Sequence, residues 1–145
     1  VTGLTHDERG YPAATNPRAH ERLVSRLVRK VESARREMAD YRVVNPDAEQ
    51  VFVTYGAPTR TVEQVLHDRP KDAIGHLRLR VVWPFPEFAL SEFPGAKAFL
   101  VPEMNLGQMS REIERHTDVP VIPLPRLGGD LHTPEMLGKA LEAAR

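Results

Sequence analysis

The 145-residue chain contains no cysteine. It can therefore form neither disulfide bonds nor a thiolate-held iron–sulfur cluster or structural zinc site, so any electron carrier must belong to another chain. Net charge is also missing, because 20 Lys and Arg residues balance 20 Asp and Glu residues. This balance gives no indication of a nucleic-acid partner or of binding to an acidic membrane.

Long apolar runs and phosphate-binding loops are absent as well. No stretch approaches the ~18 apolar residues of a membrane span, and the start lacks the basic-then-apolar layout of a secretory signal, so the sequence predicts a cytoplasmic location. Neither a GxxxxGKS/T loop nor a GxGxxG turn is present. Five histidines lack the spacing of a metal-ligand pair and have no neighbouring nucleophile, and we interpret them as surface residues. They are His20, His67, His76, His116 and His132.

What is present fits a single globular domain. Hydrophobic residues make up 41% of the chain and charged residues 28%, while 13 prolines predict many turns. A chain of this length can bury a core of its own, since compact domains commonly contain ~100 to 150 residues. Because the chain opens on Val1 rather than Met, we expect it to be a segment of a longer polypeptide.

The first third of the chain divides into an arm and a long helix. Residues 1–17 have no periodic apolar pattern and predict a loop, so the domain itself is predicted to cover residues 18–145. From Arg18, apolar residues recur at spacings of three and four, which predicts a helix that ends at Asn45-Pro46. They are Leu23, Leu27, Val31, Ala34, Met38 and Tyr41. Eight Lys or Arg residues against four Asp or Glu residues between Arg18 and Arg42 form a basic strip. We interpret it as a solvated helix face, with a phosphate-bearing ligand as the alternative.

The rest of the chain alternates between strand and helix patterns. Strands are predicted over residues 51–55, 74–82, 96–101 and 119–124, and helices over 59–68, 86–93, 106–116 and from Pro134, with Thr133 as the N-cap. The polar alternation of residues 74–82 indicates a wetter face or an edge strand, and Pro120 and Pro123 favour a sheet edge. This order predicts an α/β fold, a three-layer α/β/α sandwich with a mostly parallel sheet.

Three strand-to-helix junctions should meet at one edge of that sheet. They are Tyr55-Gly56-Ala57-Pro58-Thr59-Arg60, Glu103 to Gln108, and Leu127-Gly128-Gly129-Asp130. Unpaired N–H groups at the start of the first of these helices, together with Arg60, would suit an anion or a carboxylate of a partner. The alternative is structural, since glycines are common where strands turn into helices. Asn105 can likewise be a helix cap.

The run Thr5-His6-Asp7-Glu8 could be mistaken for a metal cluster. Adjacent side chains point in different directions in a helix or a strand, so these four cannot converge on one ion without a specially folded loop. We expect an ordered loop against a neighbouring domain instead, with Gly3 and Gly10 supplying permissive turns.

Five short motifs carry a resemblance to a known family. They are Gly3-Leu4-Thr5-His6-Asp7-Glu8-Arg9-Gly10, Tyr55-Gly56 leading to Arg60, Trp83-Pro84-Phe85-Pro86, Glu103-Met104-Asn105-Leu106-Gly107-Gln108 and Leu127-Gly128-Gly129. In order and spacing they resemble the carboxyl-terminal part of the alpha subunit of 2-oxoacid:ferredoxin oxidoreductases, in its 2-oxoglutarate-type branch, from Val1 to about Leu141. The resemblance implies a transketolase carboxyl-terminal-like domain that follows a pyrimidine-binding domain.

The resemblance also implies a function for the complete enzyme. Members of this family decarboxylate a 2-oxoacid on thiamine diphosphate, pass electrons through 4Fe–4S clusters to ferredoxin, and transfer the acyl group to coenzyme A. The diphosphate and magnesium site belongs to the beta subunit, so the segment alone is expected to bind no cofactor and to be inactive. Its implied partners are the beta subunit, the preceding alpha-subunit domains and, indirectly, ferredoxin, in a hetero-oligomer without nucleic acid or membrane.

No catalytic residue is carried onto this sequence by the resemblance. We expect twelve residues to make interdomain or intersubunit contacts or to bind an anion: Thr5, His6, Asp7, Glu8, Tyr55, Gly56, Thr59, Arg60, Glu103, Asn105, Gly107 and Gln108. Two other interpretations stay open at this point. One is a free-standing module that binds an anion or a peptide, and the other is the matching domain of another thiamine enzyme, such as a transketolase.

Overall fold

The computed structural model describes residues 3–144. The chain divides into two compact units, of which the first ends at Met38 and the second begins at Ala39. The boundary between the two units therefore lies after the long helix. The domain boundary predicted after residue 17 lies before that helix and stays a prediction. Val1, Thr2 and Arg145, at the ends of the predicted ranges, lie outside the described residues.

The first unit contains helix α1 (Pro17–Ser33) and the short helix α2 (Arg35–Met38). Helix α1 begins where predicted, because the Asn16 side chain accepts hydrogen bonds from the backbone N–H groups of Arg18 and Ala19, at 3.1 and 3.2 Å. The predicted end at Asn45 was wrong. Residues 41–44 are β-branched or aromatic at three of four positions and form a strand instead, although Tyr41 continues the helical spacing.

The second unit is built on a five-stranded sheet. Its strands are β1 (Tyr41–Val44), β2 (Gln50–Thr54), β3 (Ile74–Leu79), β4 (Ala98–Glu103) and β5 (Val121–Pro125). They lie in the order β1-β3-β2-β4-β5, and only β1 runs antiparallel to its neighbour. Helices α3 (Pro58–Asp68), α4 (Gln108–Glu114) and α5 (Pro134–Ala143) and a 3-10 helix (Glu87–Glu92) connect or follow the parallel strands.

Buried side chains fill both faces of this sheet. On one face Val51 and Val53 of β2 share a cluster with Phe93 and Ile113. On the other face Phe52 packs with side chains of α3 and α5. Because successive residues of a strand point to opposite faces, the apolar run of β2 serves both clusters. The predicted three-layer α/β/α sandwich with a mostly parallel sheet is confirmed.

The positions of two strands in the sheet test the sequence predictions. Strand β5 is an edge strand, as its prolines indicated, since proline cannot supply a ladder N–H. Strand β3 was expected to be an edge strand or to have a wetter face, and this was wrong. It lies between β1 and β2, with five of its six residues buried. Strand β1, which the sequence patterns did not reveal, pairs with β3 and occupies the sheet edge that had been predicted for β3.

The carboxyl-terminal helix begins as predicted. Pro134 is its first residue, and the Thr133 hydroxyl accepts a hydrogen bond from the backbone N–H of Met136 at 3.3 Å. Within residues 3–144, no helix is both long enough and apolar enough to cross a bilayer.

Gly75 marks the closest packing between β3 and its surroundings. A Cβ atom at this position would lie 2.9 Å from Val51 Cγ2, 3.0 Å from Phe93 Cε1 and 3.1 Å from Ala48 Cβ. We expect Gly75→Ala to destabilise the chain by about 1–3 kcal/mol, because buried neighbours must move to admit a methyl group. The measurement is urea unfolding at neutral pH. Gly95→Ala is the matched control, since the nearest atom to its added Cβ would lie at 3.9 Å. Equal stabilities of the two variants would contradict this packing.

Candidate functional site

The carboxyl ends of the parallel strands β2, β3, β4 and β5 meet at one edge of the sheet. We call this edge the carboxyl rim and define it as the loops after these strands (residues 55–57, 80–86, 104–107 and 126–133) with the first turns of the helices that follow. The three predicted junctions therefore lie on one side of the sheet. Backbone contact joins the second junction to the residue just before the third, since the N–H of Arg126 donates to the carbonyl of Glu103 at 2.8 Å.

Beneath the rim lies the carboxylate of Glu103, the last residue of β4, which is 1% exposed. It accepts hydrogen bonds from the backbone N–H groups of Met109 and Ser110, at 2.7 and 3.0 Å, and from the Ser110 hydroxyl at 2.5 Å. The Tyr55 hydroxyl donates a fourth hydrogen bond at 3.3 Å. These donors stabilise the buried charge, because a carboxylate without such partners would be costly to bury. Glu103 thus serves as an internal anion at the start of α4.

Asn105 completes the cap of the same helix. The residue at the N-cap position is Gly107, which has a φ of 86° and no side chain to accept a hydrogen bond. Asn105 Oδ1 instead accepts from the N–H groups of Gly107 and Gln108, both at 2.9 Å. Asn105 and Glu103 together satisfy four consecutive backbone donors. The expectation that Asn105 is a helix cap is confirmed, and the Gln108 side chain is exposed beside it.

Tyr55 connects the loop after β2 with the loop after β4. Its hydroxyl accepts a hydrogen bond from Asn105 Nδ2 at 2.8 Å while it donates to Glu103. Burial is the main cause that raises the pKa of Tyr55 above its ordinary value. The Asn105 hydrogen bond lowers that pKa, whereas the charge of Glu103 and its hydrogen bond raise it. The phenol therefore stays neutral and keeps its donor role at physiological pH.

The start of α3 differs from the anion site that the sequence suggested. Gly56 has a φ of 60° and makes the turn, but two of the N–H groups that follow are paired within the turn. The N–H of Thr59 donates to the carbonyl of Gly56 at 3.3 Å, and that of Arg60 to the carbonyl of Ala57 at 3.4 Å. Pro58 has no N–H. Arg60 presents an exposed charged side chain here, and the anion-binding role of this turn is still only a prediction.

Two histidines lie in the interior, and their assignment to the surface was wrong. His76 on β3 is 2% exposed and His132 is 4% exposed. His76 Nε2 lies 2.7 Å from Thr54 Oγ1, which is 3.1 Å from Thr59 Oγ1, so these three side chains form a buried polar cluster. His132 Nε2 lies 2.8 Å from the carbonyl oxygen of Leu124. A useful signal in the sequence was the period of two, which places His76 and Ile74 on one face of their strand.

The interior of the fold holds the pKa of His76 at about 4, well below the ordinary value of 6.5. Burial is the largest cause, because the charged imidazolium loses its hydration. The positive charges of Arg78 and Arg42 lower the pKa further. His76 is therefore neutral at physiological pH and acts as a hydrogen-bonding core residue.

The predicted Thr5 to Glu8 segment belongs to the first unit and is an ordered turn. Asp7 Oδ1 accepts from the N–H groups of Arg9 and Tyr11, at 2.9 and 3.0 Å. Glu8 is exposed and lies 3.8 Å from Arg22. The other two residues also bond locally: the Thr5 carbonyl accepts from Ala13, and His6 Nδ1 lies 3.1 Å from the Leu4 carbonyl. The contact of this loop with a neighbouring domain is still a prediction.

Within residues 3–144, no group of three or more His, Asp or Glu side chains is arranged to hold a metal ion. The backbone donors at the start of α4, which could otherwise bind a phosphate, are occupied by Glu103 and Asn105. The donors at the start of α4 are thus used within the domain.

Comparison with known proteins agrees with this geometry. Residues 48–137 match the family model described as pyruvate:ferredoxin oxidoreductase core domain II. The chain belongs to this family. The matched core domain II segment runs from just before β2 into the first turn of α5 and so contains every strand that forms the carboxyl rim.

Relatives of this core domain II chain include two archaeal proteins named 2-oxoglutarate synthase subunit KorA. The protein of Methanocaldococcus jannaschii is 45% identical over 97% of this chain and 39% of its own length. That of Methanothermobacter marburgensis is 40% identical over 97% of this chain and 40% of its own length. The chain therefore spans about two fifths of the length of these relatives.

A solved structure shows the same fold. The 2-oxoglutarate:ferredoxin oxidoreductase from Magnetococcus marinus, solved with 2-oxoglutarate, coenzyme A and succinyl-CoA bound, matches with a TM-score of 0.82 and 27% identity. The match covers 99% of this chain and 26% of that chain. This structure and the two KorA relatives are all named for 2-oxoglutarate.

Proposed function

We propose that this chain is the carboxyl-terminal domain of the alpha subunit of a cytoplasmic 2-oxoglutarate:ferredoxin oxidoreductase. The complete enzyme would convert 2-oxoglutarate, coenzyme A and oxidised ferredoxin into succinyl-CoA, carbon dioxide and reduced ferredoxin. The observation that carries this proposal is the alignment of nearly the whole chain with two fifths of a 2-oxoglutarate synthase subunit at 45% identity.

Within that enzyme we assign the chain a structural and interface role. The chemistry would depend on thiamine diphosphate, magnesium, 4Fe–4S clusters and coenzyme A in other parts of the complex, because the cofactor performs the difficult steps in such enzymes. The polar groups of this domain support that assignment. Glu103, Asn105 and Tyr55 bond to one another or to the backbone of α4 and are not presented as free acids, bases or nucleophiles.

The decisive experiment compares the complete complex with the chain alone. We expect the assembled subunits to reduce ferredoxin when 2-oxoglutarate and coenzyme A are both added, and we expect the 145-residue chain by itself to give no reduction. Pyruvate in place of 2-oxoglutarate is the control for the substrate. Turnover by the isolated chain, or a complex that accepts pyruvate and ignores 2-oxoglutarate, would contradict the proposal.

A further inference from the structure

The second unit exposes its large apolar side chains in one region. Among its described residues, six large hydrophobic side chains are exposed: Val82, Trp83, Leu106, Leu127, Leu131 and Met136. Each lies between the carboxyl end of a parallel strand and the first turn of the helix that follows. All six therefore belong to the carboxyl rim, while the outer helix faces and the opposite sheet edge expose none among the residues described.

Three of these six side chains are exposed over most of their surface. Trp83 is 67% exposed, Leu106 is 66% exposed and Leu127 is 60% exposed. Single exposed apolar residues are ordinary on protein surfaces, but their concentration in one region marks an interaction site. Tryptophan and leucine in loops can be buried on contact without refolding the sheet beneath them.

The charges of the rim indicate the kind of partner. Its exposed carboxylates already have cationic partners, because Asp130 lies 3.7 Å from Arg126 and Glu135 lies 2.6 Å from Lys139. The exposed guanidinium of Arg60 has no ion pair or hydrogen bond within residues 3–144. A surface of this kind is complementary to an apolar patch bordered by carboxylates.

We propose that the carboxyl rim is a docking surface for another polypeptide, which presents an apolar patch with acidic side chains at its border. The identity of that polypeptide as a further subunit of the oxidoreductase rests on the proposed function, whereas the surface itself does not. A free anion fits less well at the start of α4, because the backbone donors there are already paired with Asn105 and Glu103. A second copy also fits less well, since the exposed carboxylates of its rim, Asp130 and Glu135, are already paired with Arg126 and Lys139 and are not free to pair with Arg60.

The single tryptophan of the chain makes the proposal testable. We expect the 145-residue chain labelled with 5-fluorotryptophan to give one ¹⁹F resonance, which shifts when the purified remaining subunits of the oxidoreductase are added. Leu106→Asp combined with Leu127→Asp should weaken that binding about tenfold or more, because two anchors of the contact become charged. Arg60→Glu should weaken it several-fold at low salt and by less at high salt.

Matched variants and a fold check make the result unambiguous. Lys71→Glu places the same charge reversal in the loop between α3 and β3, at the opposite edge of the sheet, and should bind within threefold of the unchanged chain. Circular dichroism and thermal unfolding of each variant should match the unchanged chain, because all of these side chains are exposed. An unshifted resonance, or tight binding by a folded Leu106→Asp/Leu127→Asp variant, would overturn the proposal.

Two other occupants are separate outcomes of the same experiment. A shift on addition of inorganic phosphate alone would replace the polypeptide with an anion. Dimerisation in sedimentation equilibrium that the leucine variant abolishes would replace it with a second copy. Activity of the complete enzyme with 2-oxoglutarate is measured in parallel. If the enzyme is active and its assembly is unaffected by the rim substitutions, only the docking surface is refuted. Rim-dependent assembly without that activity refutes the proposed function alone.

Discussion

Glu103→Leu is expected to destabilise the second unit by about 3–5 kcal/mol. The substitution fills a similar volume but removes the acceptor of the N–H groups of Met109 and Ser110 and of the hydroxyls of Ser110 and Tyr55. Each buried donor left without an acceptor costs about 1–3 kcal/mol, and the site lies too deep for water to replace the carboxylate fully. The measurement is the free energy of unfolding in urea at neutral pH.

The milder substitutions at this site should follow a definite order. Glu103→Gln keeps one acceptor oxygen but turns an NH₂ group towards N–H donors, so we expect an intermediate loss of about 2 kcal/mol. Ser110→Ala removes one donor and leaves the carboxylate with three, and it should cost about 1 kcal/mol. Glu114→Gln changes an exposed glutamate on the same helix and is the control, with an expected effect within about 0.5 kcal/mol.

The same measurements distinguish two roles for Glu103. Its carboxylate either accepts hydrogen bonds that stabilise the fold or is presented to a ligand. If the carboxylate is mainly an internal anion, its loss lowers stability and disturbs the loop that carries Leu106. If the free energies of unfolding of Glu103→Leu and Glu103→Gln both lie within about 1 kcal/mol of that of the unchanged chain, the hydrogen bonds to α4 do not explain why a glutamate occupies this position. A structural anion buried under the rim agrees with a surface that contacts its partner through apolar side chains.

Much of the second unit could be predicted from its sequence because local patterns and the global fold agree there. The apolar run of β2 is long enough to mark a buried strand, and the Thr133-Pro134 pair marks the start of α5 by capping and by a fixed φ. The edge position of β5 followed from missing N–H donors. In each case the signal lies within a few residues of the element that it determines.

The errors arose where tertiary contacts overrule a local pattern. Tyr41 continues a helical spacing from α1, but β3 provides a ladder partner for residues 41–44, with Tyr41 opposite Leu79. That partner lies far away in the sequence, so the spacing alone could not reveal it. Because β1 was not recognised, β3 was predicted to lie at an edge of the sheet, and its alternating polar residues were attributed to contact with solvent.

The site shows the same division between local and distant information. Asn105 was identifiable as a cap because it bonds to N–H groups two and three residues away. The roles of Glu103 and His76 depend on donors and neighbours from other elements, which a single sequence does not display. A polar residue at the end of a buried strand is ambiguous until those partners are known: it either presents its side chain to a ligand or satisfies the fold.

Acidification is expected to destabilise the chain through His76. In the folded state its pKa is about 4, while the ordinary value is 6.5, so between these values the unfolded chain binds more protons than the folded one. Stability from neutral His76 is fully present above pH 6.5 and is lost as the pH falls towards 4. Once the pH lies below both pKa values, the loss of stability amounts to about 3 kcal/mol. Carboxylates that protonate in the same range add their own terms, so a variant must isolate the contribution of His76.

His76→Gln provides that isolation. Glutamine keeps a neutral hydrogen-bonding group near Thr54 and cannot acquire the buried positive charge beside Arg78 and Arg42. We expect the difference in unfolding free energy between this variant and the unchanged chain to shift in favour of the variant by about 1.4 kcal/mol per pH unit between pH 6 and pH 4.5. His67→Gln replaces an exposed imidazole on α3 and should leave the pH dependence of the unchanged chain almost intact.

Two results would refute this account of His76. One is a His76→Gln variant whose stability falls with acid as steeply as that of the unchanged chain. The other is an NMR titration in which the His76 ring protonates near 6.5 while the domain stays folded, because that would show that burial and the two arginines do not disfavour the imidazolium. The ion pair between Arg78 and Glu63, at 3.1 Å, provides an internal check. Glu63→Gln removes the partner that offsets the Arg78 charge, so it should lower the pKa of His76 further and extend the loss of stability to lower pH.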